Sequence, residues 1–406
     1  MAEYVINQYR GVYKRALELY NDEKFKECYP MFETVVKNDV LNYDAKYYLA
    51  DLLYNGKGCT KNVKEAFQLY MTAATNKNVE AAYMVGMSYL TGTGIMQDST
   101  QAVAWFTEAA KYAHPLSQYY LGLAYLRGEG ITKDVPRATQ WLVHAAKSGI
   151  VDAQREAGEC YELLGKMKGA ATLYLEGARN GDPVCMEKIA DCYAKGEGTL
   201  QCTGLALNFY EQAAEAGNIN AQVKLGMKYY TGTDVEQDMK RAVSYFTDAA
   251  NAGNPVAQNA LAECYHMGDG VLKNDQTAIS WWTKAANAGN VNAMVHLAEN
   301  LTDPKDEYMD PDLVTAKFWW QKAAELGDPY SMYRLGDCLE KGIGVSLINV
   351  EDAYKWYRLA AQKGDPDALE AVNLFPSWNS EVEEYEKDIR VLYNGILYKC
   401  LQTHTP

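Results

Sequence analysis

The sequence predicts an all-α fold, a right-handed α/α solenoid of about nine helical hairpins, on three observations. A pair of small residues recurs nine times, eight Ala-Ala and one Gly-Ala, beginning at Ala73, Ala109, Ala145, Gly177, Ala213, Ala249, Ala285, Ala323 and Ala360. The steps between them are 36, 36, 32, 36, 36, 36, 38 and 37 residues, a period typical of stacked repeats. A joint of Gly-Asp-Pro or Gly-Asn-Pro begins at Gly181, Gly253, Gly327 and Gly364. Glycine ends one helix there, Asp or Asn caps the next, and proline fits the first turn, where its missing N–H costs nothing. A turn glycine pair also recurs, at Gly56/Gly58, Gly92/Gly94, Gly128/Gly130, Gly196/Gly198, Gly268/Gly270 and Gly342/Gly344, with Gly232 alone in its unit.

Taken in order, residues 1–44 form a capping hairpin, with Leu17 and Tyr20 in one helix and Tyr29, Phe32 and Val36 in the other. Residues 45–368 carry the repeats, and the unit from Ala221 to Gly253 shows their logic. Ala221, Leu225 and Tyr229 fall at i, i+4 and i+8 on one helical stripe. Gly226 lies beside that stripe and lets a neighbouring helix come close. The second helix carries Ala242, Tyr245, Phe246, Ala249 and Ala250 at helical spacing. Its large-residue column runs Tyr70, Phe106, Leu142, Tyr174, Tyr210, Phe246, Trp282, Trp320 and Tyr357.

Three units depart from the pattern. The fourth, Ala153 to Gly181, lacks four loop residues and the glycine pair; the eighth has a longer acidic loop from Thr302 to Asp312; the ninth has one extra residue near Ser346 to Asn349. A change of curvature is expected at the fourth and eighth. Residues 369–406 form a C-terminal cap. Phe375-Pro-Ser-Trp378 breaks the chain, and a last helix is expected from Ser380 to Gln402, with Val382, Tyr385, Ile389, Leu392 and Ile396 along one face.

On these columns the chain resembles the Sel1-like repeat proteins, relatives of the tetratricopeptide repeats. Their pattern is roughly A-x-x-x-L-G-x-x-Y-x-x-G-x-G-V followed by A-x-x-W-[YF]-x-x-A-A-x-x-G. Ala257 to Gly289 and Ser117 to Gly149 match it well, and the likeness covers about residues 45 to 368. The first hairpin and the fourth unit look like plain tetratricopeptide units. The resemblance implies an adaptor or scaffold that binds protein.

It also implies that the first helices line a concave groove. With the Leu of L-G as position seven, positions five, nine and twelve face it. Units one to three then offer Tyr47, Tyr54, Tyr83, Met87, Leu90, Tyr119, Leu123 and Leu126, an apolar strip beside Asp51. Later units offer mainly Glu159, Asp191, Glu263, Glu299 and Asp337, with Tyr230 and Tyr333 among them. Exposed apolar patches mark binding sites, and aromatic anchors dominate interface energy. The expected partner is another protein or peptide with apolar anchors and basic residues. Packing of the tyrosines between first helices, with the acids as solvated charge, is the bland alternative.

A net charge of −14 argues against nucleic acid or an anionic membrane as the partner. The N-terminal segment lacks the look of a secretory signal, and a cytoplasmic location is expected. Nine cysteines at no fixed spacing read as buried free thiols. No metal-ligand spacing, phosphate loop or nucleophile elbow is present, so no catalytic residue, cofactor or metal ion is expected. The rival function is an inhibitor or immunity-type protein that clamps one enzyme or toxin. An enzyme would need titratable groups gathered across neighbouring units.

Overall fold

The computed structural model describes residues 2–303, 311–373, 390–393 and 396–399. It divides into two compact units, one ending at Ala216 and the other beginning at Gly217.

The first unit contains α1 (Ala2–Asn21), α2 (Phe25–Asn38), α3 (Tyr43–Asn55), α4 (Val63–Thr75), α5 (Val79–Thr91) and α6 (Ser99–Lys111). It continues with α7 (Pro115–Arg127), α8 (Val135–Lys147), α9 (Val151–Leu163), α10 (Met167–Arg179), α11 (Pro183–Lys195) and α12 (Thr203–Glu215). The second unit contains α13 (Ile219–Thr231), α14 (Met239–Asn251), α15 (Pro255–Met267), α16 (Asp275–Asn287), α17 (Val291–Thr302), α18 (Leu313–Glu325), α19 (Pro329–Lys341), α20 (Val350–Gln362) and α21 (Pro366–Asn373). In each, consecutive helices pair as hairpins and stack on the next pair.

The expected joints form. The Asp182 carboxylate accepts the Cys185 N–H at 2.9 Å, Asp328 accepts that of Ser331 at 2.7 Å, and Asp365 that of Ala368 at 2.8 Å. The preceding glycines lie in the left-handed region, at φ of +89° for Gly181 and +98° for Gly327. Each side-chain cap stabilises its helix by about 1 kcal/mol.

The turn glycines explain why the units dock at one register. Gly92 caps α5 in the left-handed conformation. Two residues on, Gly94 lies so close to the preceding unit that a Cβ would stand 2.3 Å from the Val63 carbonyl oxygen at the start of α4. Gly270 meets the Met239 carbonyl oxygen of α14 in the same way, at 2.4 Å. In the unit with a single turn glycine, Asp234 takes the left-handed conformation instead, at φ +66°.

The core is the one the columns predict. All nine residues from Tyr70 to Tyr357 of the large-residue column are buried, as is the first member of each small pair. Cys28, Cys160, Cys185, Cys192, Cys264 and Cys338 are buried free thiols; Cys59 and Cys202 are also free, and Cys400 lies outside the described residues.

The first hairpin places Leu17 and Tyr20 on α1 and Tyr29, Phe32 and Val36 on α2, with Ala16, Leu19, Cys28, Phe32 and Val35 buried and Leu17, Tyr20, Tyr29 and Val36 half-buried. One expectation is corrected. At the C-terminus, β1 (Arg390–Tyr393) and β2 (Ile396–Lys399) pair antiparallel, with Tyr393 opposite Ile396, where a helix from Ser380 to Gln402 was expected. The sequence between them is Asn394-Gly395, the pair most favoured in two-residue hairpin connections. Residues 380–389, 394–395 and 400–402 of that span lie outside the described residues.

Candidate functional site

Positions five, nine and twelve sit on the first helix of each pair. In the first unit they place Tyr47, Asp51 and Tyr54 on α3, Tyr83, Met87 and Leu90 on α5, Tyr119, Leu123 and Leu126 on α7, Glu159 on α9 and Asp191 on α11. In the second they place Tyr230 on α13, Glu263 on α15, Glu299 on α17, and Tyr333 and Asp337 on α19. Leu123 is buried, Glu299 is exposed, and the rest are half-buried.

The tyrosines of the first unit serve packing as well as surface. Tyr83 lies 4.9 Å from the His114 ring and 6.2 Å from both Phe106 and Tyr120. Tyr47 sits 5.8 Å from Tyr70. A recess of about 130 Å³ opens between α5, α6 and α7, lined by Leu90, Phe106, Tyr120 and Leu123, with Arg127 and Glu129 also in its wall. Burial first, and then the charge of Glu156, holds the Glu159 carboxyl above the usual range.

Several acids of the row already hold internal donors. The Tyr20 hydroxyl donates to Asp51 at 2.6 Å, the Tyr210 hydroxyl to Asp191, and the Tyr357 hydroxyl to Asp337 at 3.0 Å. Lys341 also donates to Asp337, at 2.9 Å. The acidic row is therefore partly an internal polar network that orients the second-helix column.

In the second unit a cleft of about 410 Å³ gathers three of the anticipated residues, Tyr230, Glu263 and Glu299. Around them stand His266, Trp282, His296, Asn300 and Arg334. His296 is held between two carboxylates, with Nε2 3.3 Å from Glu263 and Nδ1 3.7 Å from Glu299. The Glu263 hydrogen bond, then that of Glu299, pushes its pKa up to about 9, so the imidazole is a cation at neutral pH. The same contact with His296 holds Glu299 below the usual carboxylate range. Trp282 stacks on His296, centroids 5.6 Å apart, and lies 5.3 Å from His266, whose Nδ1 is 2.6 Å from Asp275. Burial pushes the Tyr230 hydroxyl up to about 12, and it donates to Asp269 at 3.2 Å.

His296 and Arg334 were missed because both occupy position six, which the groove count leaves out. That column turns cationic in later units, at Lys188, Lys224, His296 and Arg334. Its members reach back to acids of the preceding pair: Lys188 to Glu162 at 3.2 Å and His296 to Glu263. Reading the sixth column against the ninth and twelfth would have exposed this neutralisation.

Among the described residues no group of His, Cys, Asp or Glu is arranged to hold a metal ion. Among them, too, no helix is long and apolar enough to cross a membrane.

Helix pairs repeated at this period define an all-α repeat solenoid, a class that presents extended surface to other proteins. Eight stretches, 44–78, 79–111, 115–150, 183–218, 219–254, 255–290, 292–328 and 329–365, match the sequence profile of the Sel1 repeat. These span well over half of the chain, and the protein belongs to the Sel1 repeat family, whose members generally mediate protein–protein interaction. The unmatched stretch 151–182 is the shortened fourth unit.

The fold is similar to that of a protective antigen present in uropathogenic Escherichia coli strains, described as displaying an SLR fold. The two are 26% identical, with 84% of this chain and 74% of that one covered and a TM-score of 0.71. A Sel1 repeat protein from Oxalobacter formigenes is 23% identical, with 85% and 89% covered and a TM-score of 0.47. An immunity protein from Pseudomonas aeruginosa is 18% identical, with 62% and 82% covered and a TM-score of 0.26. No curated protein matches the chain.

Proposed function

We propose that this protein is a non-catalytic adaptor or regulatory scaffold that holds a partner polypeptide along its first helices. The observation that carries this reading is the recess between α5, α6 and α7, where Leu90, Phe106, Tyr120 and Leu123 present apolar walls beside half-buried Met87 and Leu126. A recess of about 130 Å³ takes one apolar side chain as an anchor. Beyond it the face turns acidic at Glu159, which suits basic residues further along the same partner. Titratable groups do gather across neighbouring pairs in the second unit, His296 between Glu263 and Glu299 and His266 beside Asp275, so the binding reading rests on the recess and not on them.

The test is site-specific photocrosslinking from position 87 in cells, with the captured chains identified by mass spectrometry. Crosslinks to a defined polypeptide, lost when Leu90→Glu is added, are expected. The same products at full yield in Leu90→Glu would defeat the reading.

A further inference from the structure

The cleft of the second unit carries an uncommitted cation in a chain of net charge −14. Arg334 stands over the Trp320 ring at 5.2 Å from its centroid and over Tyr330 at 6.0 Å. Among the described residues it makes no ion pair. Its Nη1 donates to the Tyr330 hydroxyl at 3.5 Å, the limit of such a bond.

The acids nearby are already engaged. Glu263 accepts from Asn259 at 2.7 Å and faces His296, while Glu299 accepts from the Tyr330 hydroxyl at 3.0 Å and faces the other side of His296. With His296 protonated, these three groups and Arg334 sum to zero charge, and Asp303 lies exposed at the rim.

Three buried polar atoms of the same cleft lack partners among the described groups. They are Arg334 Nε and Trp282 Nε1, which are donors, and the Asn300 side-chain oxygen, an acceptor on a residue only 7% exposed. Leaving such atoms unmatched is costly, on the order of 1–3 kcal/mol each. A lysine or arginine ligand would satisfy the acceptor alone and would be repelled by Arg334. A carboxylate on a polypeptide complements the guanidinium, the one charged group among them.

The geometry points to this cleft as a receptor for a carboxylate presented by a polypeptide, with Arg334 as the anion anchor and Asn300 and Trp282 lining the cleft beside it. A planar carboxylate matches the guanidinium fork in a way that a lysine ammonium does not reproduce. The volume of about 410 Å³ lies in the range of small-ligand sites. The inference rests on the polypeptide-binding reading above and adds the chemistry of one contact.

The test uses the full chain with ¹⁵N-labelled tryptophan, and the indole signal of Trp282 is assigned by Trp282→Phe. N-acetyl-alanyl-alanine with a free carboxylate is titrated beside the same dipeptide as its C-terminal amide. A third probe, N-acetyl-aspartate α-methylamide, separates a chain end from a side-chain carboxylate. The free acid is expected to shift the indole saturably, and the amide to leave it in place. Arg334→Gln should weaken binding about tenfold or more, as loss of a charge-assisted hydrogen bond implies, and Arg334→Lys should retain part of it. An aspartate probe that binds as well as the free acid would keep the carboxylate and move its source to a side chain.

Equal binding of acid and amide, no saturable shift, or full affinity in Arg334→Gln would each overturn the proposal. Retained crosslinking from position 87 in that event would leave the scaffold reading standing. Loss of that crosslinking with carboxylate binding intact would do the reverse.

Discussion

The ring of Phe246 lies so close to Gly226 that a Cβ at residue 226 would stand 2.5 Å from Phe246 Cε1. The same relation holds between Gly86 and Phe106, Gly122 and Leu142, Gly158 and Tyr174, and Gly336 and Tyr357. In these five pairs the glycine is therefore the seat of the second-helix column, and Ala50, Ala190, Ala262 and Ala298 hold the same position in the other four. Gly226→Ala must displace a ring that is fully buried, and overpacking of this kind costs about 1–3 kcal/mol. A chemical-denaturation midpoint that falls accordingly is expected; an unchanged midpoint would mean that the ring has free space to move.

That relation also shows why so much of the fold was legible in the residues. Helix ends, capping joints and close contacts depend on neighbours in sequence or on one small residue, so Gly, Asp, Pro and the paired alanines announce them. The cleft was less legible because it depends on which column faces which across two pairs. Glu263 and Glu299 were anticipated, whereas His296, Asn300 and Arg334 came from positions that the groove count passed over. The C-terminal error has a similar cause. Ile389, Leu392 and Ile396 fit a helical stripe, but Val391 to Tyr393 and Ile396 to Tyr398 also fit strands, and Asn394-Gly395 was the deciding local signal.

Ala113 follows α6 with φ +59°, where other units have Gly149, Gly181, Gly217, Gly253 or Gly289 in the left-handed region. A Cβ is disfavoured in that conformation by roughly 1–2 kcal/mol, part of which is offset by glycine's greater freedom when unfolded. Ala113→Gly is expected to stabilise the first unit by about 1 kcal/mol, read as a higher melting midpoint. Lys77, at φ +69° after α4, provides a replicate. A lower midpoint in both variants would show that the side chains contribute more than the strain removes.

Two histidines should bend stability in opposite directions with pH. The His114 Nδ1 accepts the Ser117 N–H at 3.1 Å as the N-cap of α7, and only the neutral ring can do so. Burial lowers its pKa, so its contribution is present above about pH 6.5 and is lost as pH falls through the folded value. His296 is the converse: raised to about 9 by Glu263 and Glu299, it contributes fully below about pH 6.5 and loses that contribution as pH rises through about 9. His114→Asn should keep the cap and flatten the acid limb, while His296→Gln should flatten the alkaline limb. Melting midpoints across that pH range check both, and limbs unchanged by these substitutions would assign the dependence to other groups.

The Tyr20 hydroxyl reaches the Asp51 carboxylate across 31 residues at 2.6 Å, tying the first hairpin to the first repeat. Asp51 was anticipated as a groove acid, and this bond makes it a structural acceptor too. Tyr20→Phe removes the donor and keeps the ring that packs on Tyr48 at 5.0 Å, while Asp51→Asn removes the charge. A hydrogen bond to a charged group stabilises by about 1.5–3 kcal/mol, and half-burial of both side chains places this one at the lower end. In a double-mutant cycle the pair should therefore couple by about 1 kcal/mol or more, with the double variant little worse than either single one. Additive losses would return Asp51 to the solvated surface, and the first-helix acids would then be free to act on a partner alone.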